Sequence, residues 1–369
     1  MARTIIGLND AKAVKKYSTL LAVDTAKKGY FSRRFMGKGR ESGMPVQMLT
    51  ELENDAGEQI TYDLNLQMTM EPVYGDDVLE GQEDELKFYT DTIWIDQVRG
   101  GVNTGGRMTR KRTIHNLRDL AKRRQSDWWA RLFDEYLFMY GAGARGVNAG
   151  FIHRTSFTGF ANNAFAAPDA DHILYSGAAT SKGSMVVGDT ITVDTINRAV
   201  AHAQMMGGGT EEKPQILPIM IEGEEHYVLV MTPWDEYNLR KETGAQGWTE
   251  IQKAAAAAQG NKNPIFRGGL GMLNNVILHS HKNVIRFSDY GAGSNVAASR
   301  SLFLGEQALT VCFGSPGTGL RFDWHEESRD NGNQAVVSSS TIMGVKKSRF
   351  NNIDFGLLAI DSACKKPGS

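Results

Sequence analysis

His279 and His281 come nearest in this chain to a metal-binding pair. Two residues apart on a strand, they share a face and could offer two imidazole nitrogens to one cation. No Cys or acid stands beside them to complete a ligand set, and the nearest carboxylate is Asp289, so packed or surface histidines are the better reading. His325, Glu326 and Glu327 are consecutive on an expected strand, and neighbours on a strand point to alternate faces and cannot converge. Gly141, Gly143 and Gly146 satisfy GxGxxG. The dinucleotide fingerprint needs a strand before it and a helix after it, whereas here a helical pattern precedes and a loop follows. Gly314, Gly317 and Gly319 lack a closing GK[ST] and read as a turn. Asp76 and Asp77 lack the ligand order of an EF-hand, and no GxSxG or HExxH occurs. The expectation is a protein that is not an enzyme and holds no cofactor or metal.

Charge carries more information than these motifs. From Glu71 to Asp96 nine carboxylates, among them Asp76, Asp77, Glu80, Glu83, Asp84 and Glu85, face the single cation Lys87. From Arg107 to Arg124 eight cations, including Arg107, Arg110, Lys111, Arg112, Arg118 and Lys122, face only Asp119. The net charge of the whole chain is only −1. A nearly neutral chain segregated in this way carries two complementary surfaces, so copies of it can meet head to tail. Near-neutrality also argues against a protein that coats nucleic acid over its whole surface, although a local basic segment could touch it.

The 369 residues and 41% hydrophobic content suffice for two or three folding units. Cys312 and Cys364 are too far apart for a CxxC motif and read as buried thiols in a reducing compartment. Asp10, Lys12, Lys15 and Lys16 interrupt the early apolar stretch, so no secretory leader is expected. No run is long and apolar enough to span a membrane, and the chain is expected to be made and assembled in the cytoplasm.

These charges need elements to hold them. Residues 1–40 carry ten Lys or Arg against Asp10 and Asp24, show periodicity only around Tyr17–Val23, and read as an extended arm. Gln59–Met70 alternates apolar and polar residues, a half-buried strand. A second run, Leu86–Val98, would close it into a long hairpin with the acidic stretch at its tip. Helical spacing follows from a cap at Thr109 through Ile114, Leu117, Ala121, Trp128, Leu132 and Tyr136 to Gly141. At 1.5 Å per residue this helix of about 30 residues would be about 45 Å long, basic in its first half and apolar in its second. One of Trp128 and Trp129 lies on its apolar seam.

Residues 142–190 read as a loop-rich excursion. Helices are expected at Thr190–Met206, from Thr232-Pro233 through Leu239, and at Trp248–Ala258. Strands are expected at Ile216–Met220, Tyr227–Met231, Asn274–His279, Val284–Phe287, Leu309–Phe313, Leu320–Trp324 and Gln334–Val345, before an apolar end at Phe355–Ile360. The order is mixed α+β, not a regular βαβ series.

This order resembles the HK97-type major capsid proteins of tailed bacteriophages. It is most similar to the podovirus-associated family, through Gly75-Asp-Asp-Val-Leu-Glu-Gly-Gln-Glu83, Ile95-Asp-Gln-Val-Arg99 and Arg107-Met-Thr-Arg-Lys-Arg112. Val230-Met-Thr-Pro-Trp234 and Asn263-Pro-Ile-Phe-Arg-Gly-Gly-Leu-Gly271 extend the likeness, which spans most of residues 30–360 and is weakest at 150–185. The resemblance implies an N-arm at 1–44, an extended loop at 45–106, a peripheral-domain spine helix within 107–149 and a loop-rich excursion at 150–189. It further implies an axial α/β domain at 190–310 and returning peripheral strands at 311–369. It also implies a homo-oligomeric icosahedral shell of hexamers and pentamers that forms the virion capsid. Partners would be scaffolding, portal and decoration proteins, with double-stranded DNA held by non-specific contact. An encapsulin-like compartment is the alternative within the fold. A metal-dependent enzyme built on His279 and His281, or a DNA-binding protein built on the basic helix, are alternatives outside it.

Overall fold

The structure is a computed structural model that describes residues 11–39, 42–53, 57–65, 70–83, 88–114, 116–206, 216–221, 223–242, 270–315 and 321–368. The expected helix at Trp248–Ala258, Gly317 and Gly319, residues 66–69 of the first strand and most of the run from Asn263 lie outside the described residues.

Within the segment expected as an extended arm, two helices form: α1 spans Ala11–Lys28 and α2 spans Tyr30–Arg34. The face of α1 that is buried carries Ser18, Leu21 and Thr25, each at most 2% exposed, so two polar residues in three conceal its period. At the start of α2 the buried Asp134 carboxylate accepts the N–H groups of Tyr30 at 2.8 Å and Phe31 at 3.2 Å. Lys28 donates to Asp127 at 2.8 Å. The arm is thereby fastened along the helix that carries both acids.

The expected single helix at 109–141 is two helices, α3 at Arg107–Arg112 and α4 at Leu117–Ala142. Gly106, not Thr109, precedes α3, and Thr113 turns extended with φ −104° and ψ 141°. The Asn116 carbonyl accepts the N–H of Leu120 at 3.0 Å and its side chain donates to Asp119 at 2.7 Å, starting α4 afresh. The 26 residues of α4 span about 39 Å. Its end is fixed by bonds from Gly143 to the Tyr140 carbonyl and from Ala144 to the Met139 carbonyl, with Gly143 at φ +67°. A Cβ on Gly143 would lie 2.1 Å from the Ala166 carbonyl oxygen, so the middle glycine of GxGxxG serves a helix end.

Two sheets meet along α4. The first has the order Met36–Lys38, Val46–Leu49, Leu309–Gly314, Gln334–Lys347 and Asp323–Arg329, and Asp96–Asn103 also pairs with Gln334–Lys347. The first half of α4 lies on it: Trp129 is fully buried and donates to Ser339 at 2.8 Å, and Gln125 donates to the Val337 carbonyl at 2.9 Å. The second sheet has the order Gly271–Leu273, Val276–Ser280, Glu224–Met231, Val296–Leu304, Leu357–Ala363 and Ile173–Tyr175. The second half of α4 meets this sheet, where Arg300 donates to the Ala142 carbonyl at 2.9 Å. Along Glu224–Met231, Val228 and Val230 join the core beneath α4. Tyr227, Leu229 and Met231 face α5 (Val193–Met205) and α6 (Pro233–Lys241) on the other side. A strand covered on both faces reads as an unbroken apolar run. The last strand, Leu357–Ala363, belongs to this second sheet, as does Ile173–Tyr175 from the excursion.

The expected hairpin forms between Gln59–Asn65 and Phe88–Trp94, in register Gln59 with Trp94 through Asn65 with Phe88. The second run divides at Ile95, and Asp96–Asn103 leaves to pair with Gln334–Lys347 in the first sheet. At this corner the backbone passes so close to Gly344 that a Cβ there would lie 2.0 Å from the Trp94 carbonyl oxygen. The hairpin base is held by Asp91, which accepts from Tyr62 at 2.7 Å, from the Arg349 N–H at 3.2 Å and from Lys346. Beside it Asp354 pairs with Lys347 and, at 2.8 Å, with Arg349. The Asp354 N–H donates to Asp169 at 2.7 Å, and Asp169 lies 2.8 Å from His172. Residues 346–354 therefore tie the hairpin, the first sheet and the excursion together.

Two stability predictions follow from these buried charges. Arg300 and Asp361, paired at 2.7 Å, are both buried. Asp361→Asn leaves the guanidinium without its counter-charge and should cost about 3 kcal/mol or more, read as a fall in the thermal unfolding midpoint of the purified subunit. At Asp169, burial pushes the carboxyl up, but the His172 side chain and the Asp354 N–H outweigh it and hold the carboxyl at about 2. A depressed carboxyl stabilises the fold above its unfolded value of 3.8, and that stability disappears as pH falls through about 2. Asp169→Asn should thus cost about 1.5 kcal/mol at neutral pH, with a deficit that narrows below pH 3.8 in unfolding measured across pH.

Candidate assembly surfaces

The acidic stretch is an irregular, solvent-facing segment at the far end of the hairpin. Turns at Gly75 (φ +65°) and Gly81 (φ +88°) shape it, with bonds from the Asp77 N–H to the Tyr74 carbonyl and from Gln82 to Leu79. Asp76, Asp77, Glu80 and Glu83 are exposed, and Glu83 accepts the Gly81 N–H at 2.7 Å. Asp84 and Glu85 lie outside the described residues. Asp91, by contrast, is buried in the hairpin base and takes no part in the exposed acidic surface.

The basic stretch is built on α3 and the first turns of α4. α3 rests on the turn before Gln334–Lys347: the Arg107 N–H donates to the Asn333 side chain at 3.0 Å, and the Arg110 guanidinium donates to the Asn333 carbonyl at 2.8 Å. Arg107, Lys111 and Arg112 stay exposed, while Arg110 and Lys122 are half-buried. Arg118 sits in the first turn of α4, and its side chain lies outside the described residues. Among the described residues no ion pair joins the acidic stretch to the basic one within a subunit.

Sequence reasoning from charge passed over a second property of the same segments. Tyr74, Val78 and Leu79 stand exposed among the carboxylates, and Met108, Ile114 and Leu120 stand exposed among the cations. Ile114, which the helical spacing puts on the apolar face, falls instead in the break between α3 and α4 and is 97% exposed.

The histidine pair is absorbed by packing. His281 stacks on Phe138 at 5.0 Å and lies against Tyr30 at 4.4 Å, and its Nδ1 accepts the Asn283 N–H at 3.2 Å. Burial, with Lys282 and Arg34 nearby, pulls its pKa down to about 4, so the ring is neutral at pH 7. His279 is buried and meets Phe35 edge-on at 5.1 Å. Among the described residues no group of three His, Cys, Asp or Glu side chains converges on a cation position. The His325, Glu326 and Glu327 side chains diverge: Glu326 accepts from Trp324 at 2.8 Å and Glu327 pairs with Arg329 at 3.0 Å. Cys312 and Cys364 are buried free thiols, each pushed up to about 12 by burial.

Comparison with known proteins places this geometry in context. The chain is 51% identical to the solved capsid of Ralstonia phage GP4, with a TM-score of 0.86 and 100% of each chain covered. The major capsid protein of Pseudomonas phage KPP25 is 27% identical over 374 residues, 91% of either chain. The capsid asymmetric unit of cyanophage Pam1 shares the fold at 20% identity, with a TM-score of 0.68 over 89% of this chain and 91% of that one. The fold is of the HK97 type. The model of the family described as phage capsid protein matches residues 5–366, and the chain belongs to that family.

Proposed function

We propose that this chain is the major capsid protein of a tailed double-stranded DNA bacteriophage and that its copies close into an icosahedral shell around the genome. The observation that carries this reading is the full-length match, in sequence and in fold, to a solved phage capsid. A subunit whose hairpin projects as two strands also fits the reading, because an isolated two-stranded sheet needs a neighbour to lie on. Hexamers and pentamers of one chain are the expected assembly. Scaffolding, portal and decoration proteins are further partners, packaged DNA is held by non-specific contact, and assembly takes place in the host cytoplasm. The N-arm, extended loop, spine, excursion, axial domain and returning strands, with the boundaries given above, belong to the same proposal.

Within this reading the acidic hairpin tip of one copy docks near the basic end of another copy's spine. One exposed ion pair contributes ~0–1 kcal/mol, so the contact gains its weight by repetition around a closed shell. Two experiments test the two levels. Electron microscopy of the purified protein should show closed particles of uniform size, with DNA and not an enzyme inside those taken from infected cells; a protein that never assembles overturns the function. The variant Asp76→Asn, Asp77→Asn, Glu80→Gln, Glu83→Gln should need several-fold more subunit to assemble and lose most of its salt dependence in light scattering. Unchanged assembly by that variant overturns the charge docking and leaves the shell intact.

A further inference from the structure

The chain contains a single Asn-Gly step, Asn331-Gly332. It forms the tip of the hairpin between Asp323–Arg329 and Gln334–Lys347. There Asp330 (φ +53°), Asn331 (φ +47°) and Gly332 (φ +86°) all take left-handed backbone, and the Asn333 N–H donates to the Asp330 carbonyl at 2.9 Å. Asn331 is exposed, and among the described residues nothing hydrogen-bonds its side-chain amide. Asn162, Asn274, Asn275, Asn351 and Asn352 share the positive φ, but each precedes a residue whose Cβ crowds the next peptide nitrogen. The same turn carries α3: Asn333 holds the Arg107 N–H through its side chain at 3.0 Å and the Arg110 guanidinium through its carbonyl at 2.8 Å. A Cβ on Gly332 would lie 3.6 Å from the Arg107 guanidinium, so a cation stands beside this peptide.

We propose that Asn331 is a self-modification site, which deamidates at the turn that seats α3 and so places a carboxylate against Arg107. The Gly332 main-chain nitrogen gives up its proton and bonds to the Asn331 side-chain carbonyl carbon; the amide carbon–nitrogen bond breaks, and ammonia leaves with that proton. Water then opens the cyclic imide at one of its two carbonyls, to aspartate or to isoaspartate. Water enters, ammonia departs, and no oxidant or reductant is used. Glycine leaves the attacking nitrogen uncrowded, and the Arg107 cation favours both the peptide anion that attacks and the carboxylate that results. Either product adds one negative charge to a basic surface. The isoaspartyl product also lengthens the main chain by a carbon between Asp330 and Asn333, which shifts Asn333 from beneath α3. A helix of six residues is not stable by itself, so α3 loosens when its seat moves.

The test uses the full purified chain, aged in mildly alkaline buffer and sampled by peptide mass mapping. The tryptic peptide 330–346 should gain about 1 Da and split into aspartyl and isoaspartyl forms, the second labelled by an isoaspartyl-specific methyltransferase. Conversion at Asn331 should outpace that at the exposed Asn351 at least tenfold, fall several-fold in Arg107→Gln and stop in Asn331→Gln. Aged protein should be cut by trypsin within α3, after Arg110, Lys111 or Arg112, several-fold faster than fresh protein, while aged Asn331→Gln keeps the fresh rate. Conversion no faster than at Asn351, or conversion confined to denatured protein, overturns the site. Conversion with unchanged cutting of α3 overturns its effect on the helix. Both results leave the capsid reading standing, because the measurement is made on the subunit alone.

Discussion

The structure depends on one helix being buried against two different sheets at once. Trp129 and Gln125 fix the first half of α4 to the first sheet, and the carbonyl of Ala142 receives Arg300 from the second. Because Arg300 is held by Asp361 on the terminal strand, the end of the helix is tied to the last element of the chain. The helical arm is fastened to the same helix through Asp127 and Asp134. Close packing leaves such a helix little room to move against either sheet without breaking buried polar bonds.

Charge is used in two ways, and burial separates them. Inside, Asp91, Asp354, Asp361 and Asp134 each have defined partners, because an unpaired buried carboxylate would be costly. Outside, carboxylates and cations gather on separate segments, and among the described residues no ion pair joins the two, so the subunit's electrostatic complementarity is available to contacts beyond itself.

Where local pattern decides the structure, the sequence is legible. The apolar run before Thr232 is a strand covered on both faces, and Thr232 with Asp235 caps the helix that Pro233 opens, as the residue types indicate. The alternation from Gln59 gives a strand with Ile60 and Tyr62 inside, and the acidic and basic segments are both where the composition puts them. Distant partners hide the rest. Val296–Leu304 is central to the second sheet yet contains Ser299 and Arg300, whose burial makes sense only beside Asp235 and Asp361. The break at Thr113 and the polar face of α1 carry no strong local signal, and Asp91 finds Lys346 across 255 positions.

That last contact gives the hairpin the mechanics of a cantilever. It is clamped at Asp91 and Tyr62 and exposed at Tyr74–Leu79, so a force applied at the exposed end arrives at the clamp as torque. The clamp residues lead through Lys347, Arg349 and Asp354 into the strand Leu357–Ala363, which crosses the other sheet. A neighbour pressing on the tip therefore loads both halves of the subunit, and stress in one part of a lattice of such subunits is shared along covalent chain as well as across interfaces.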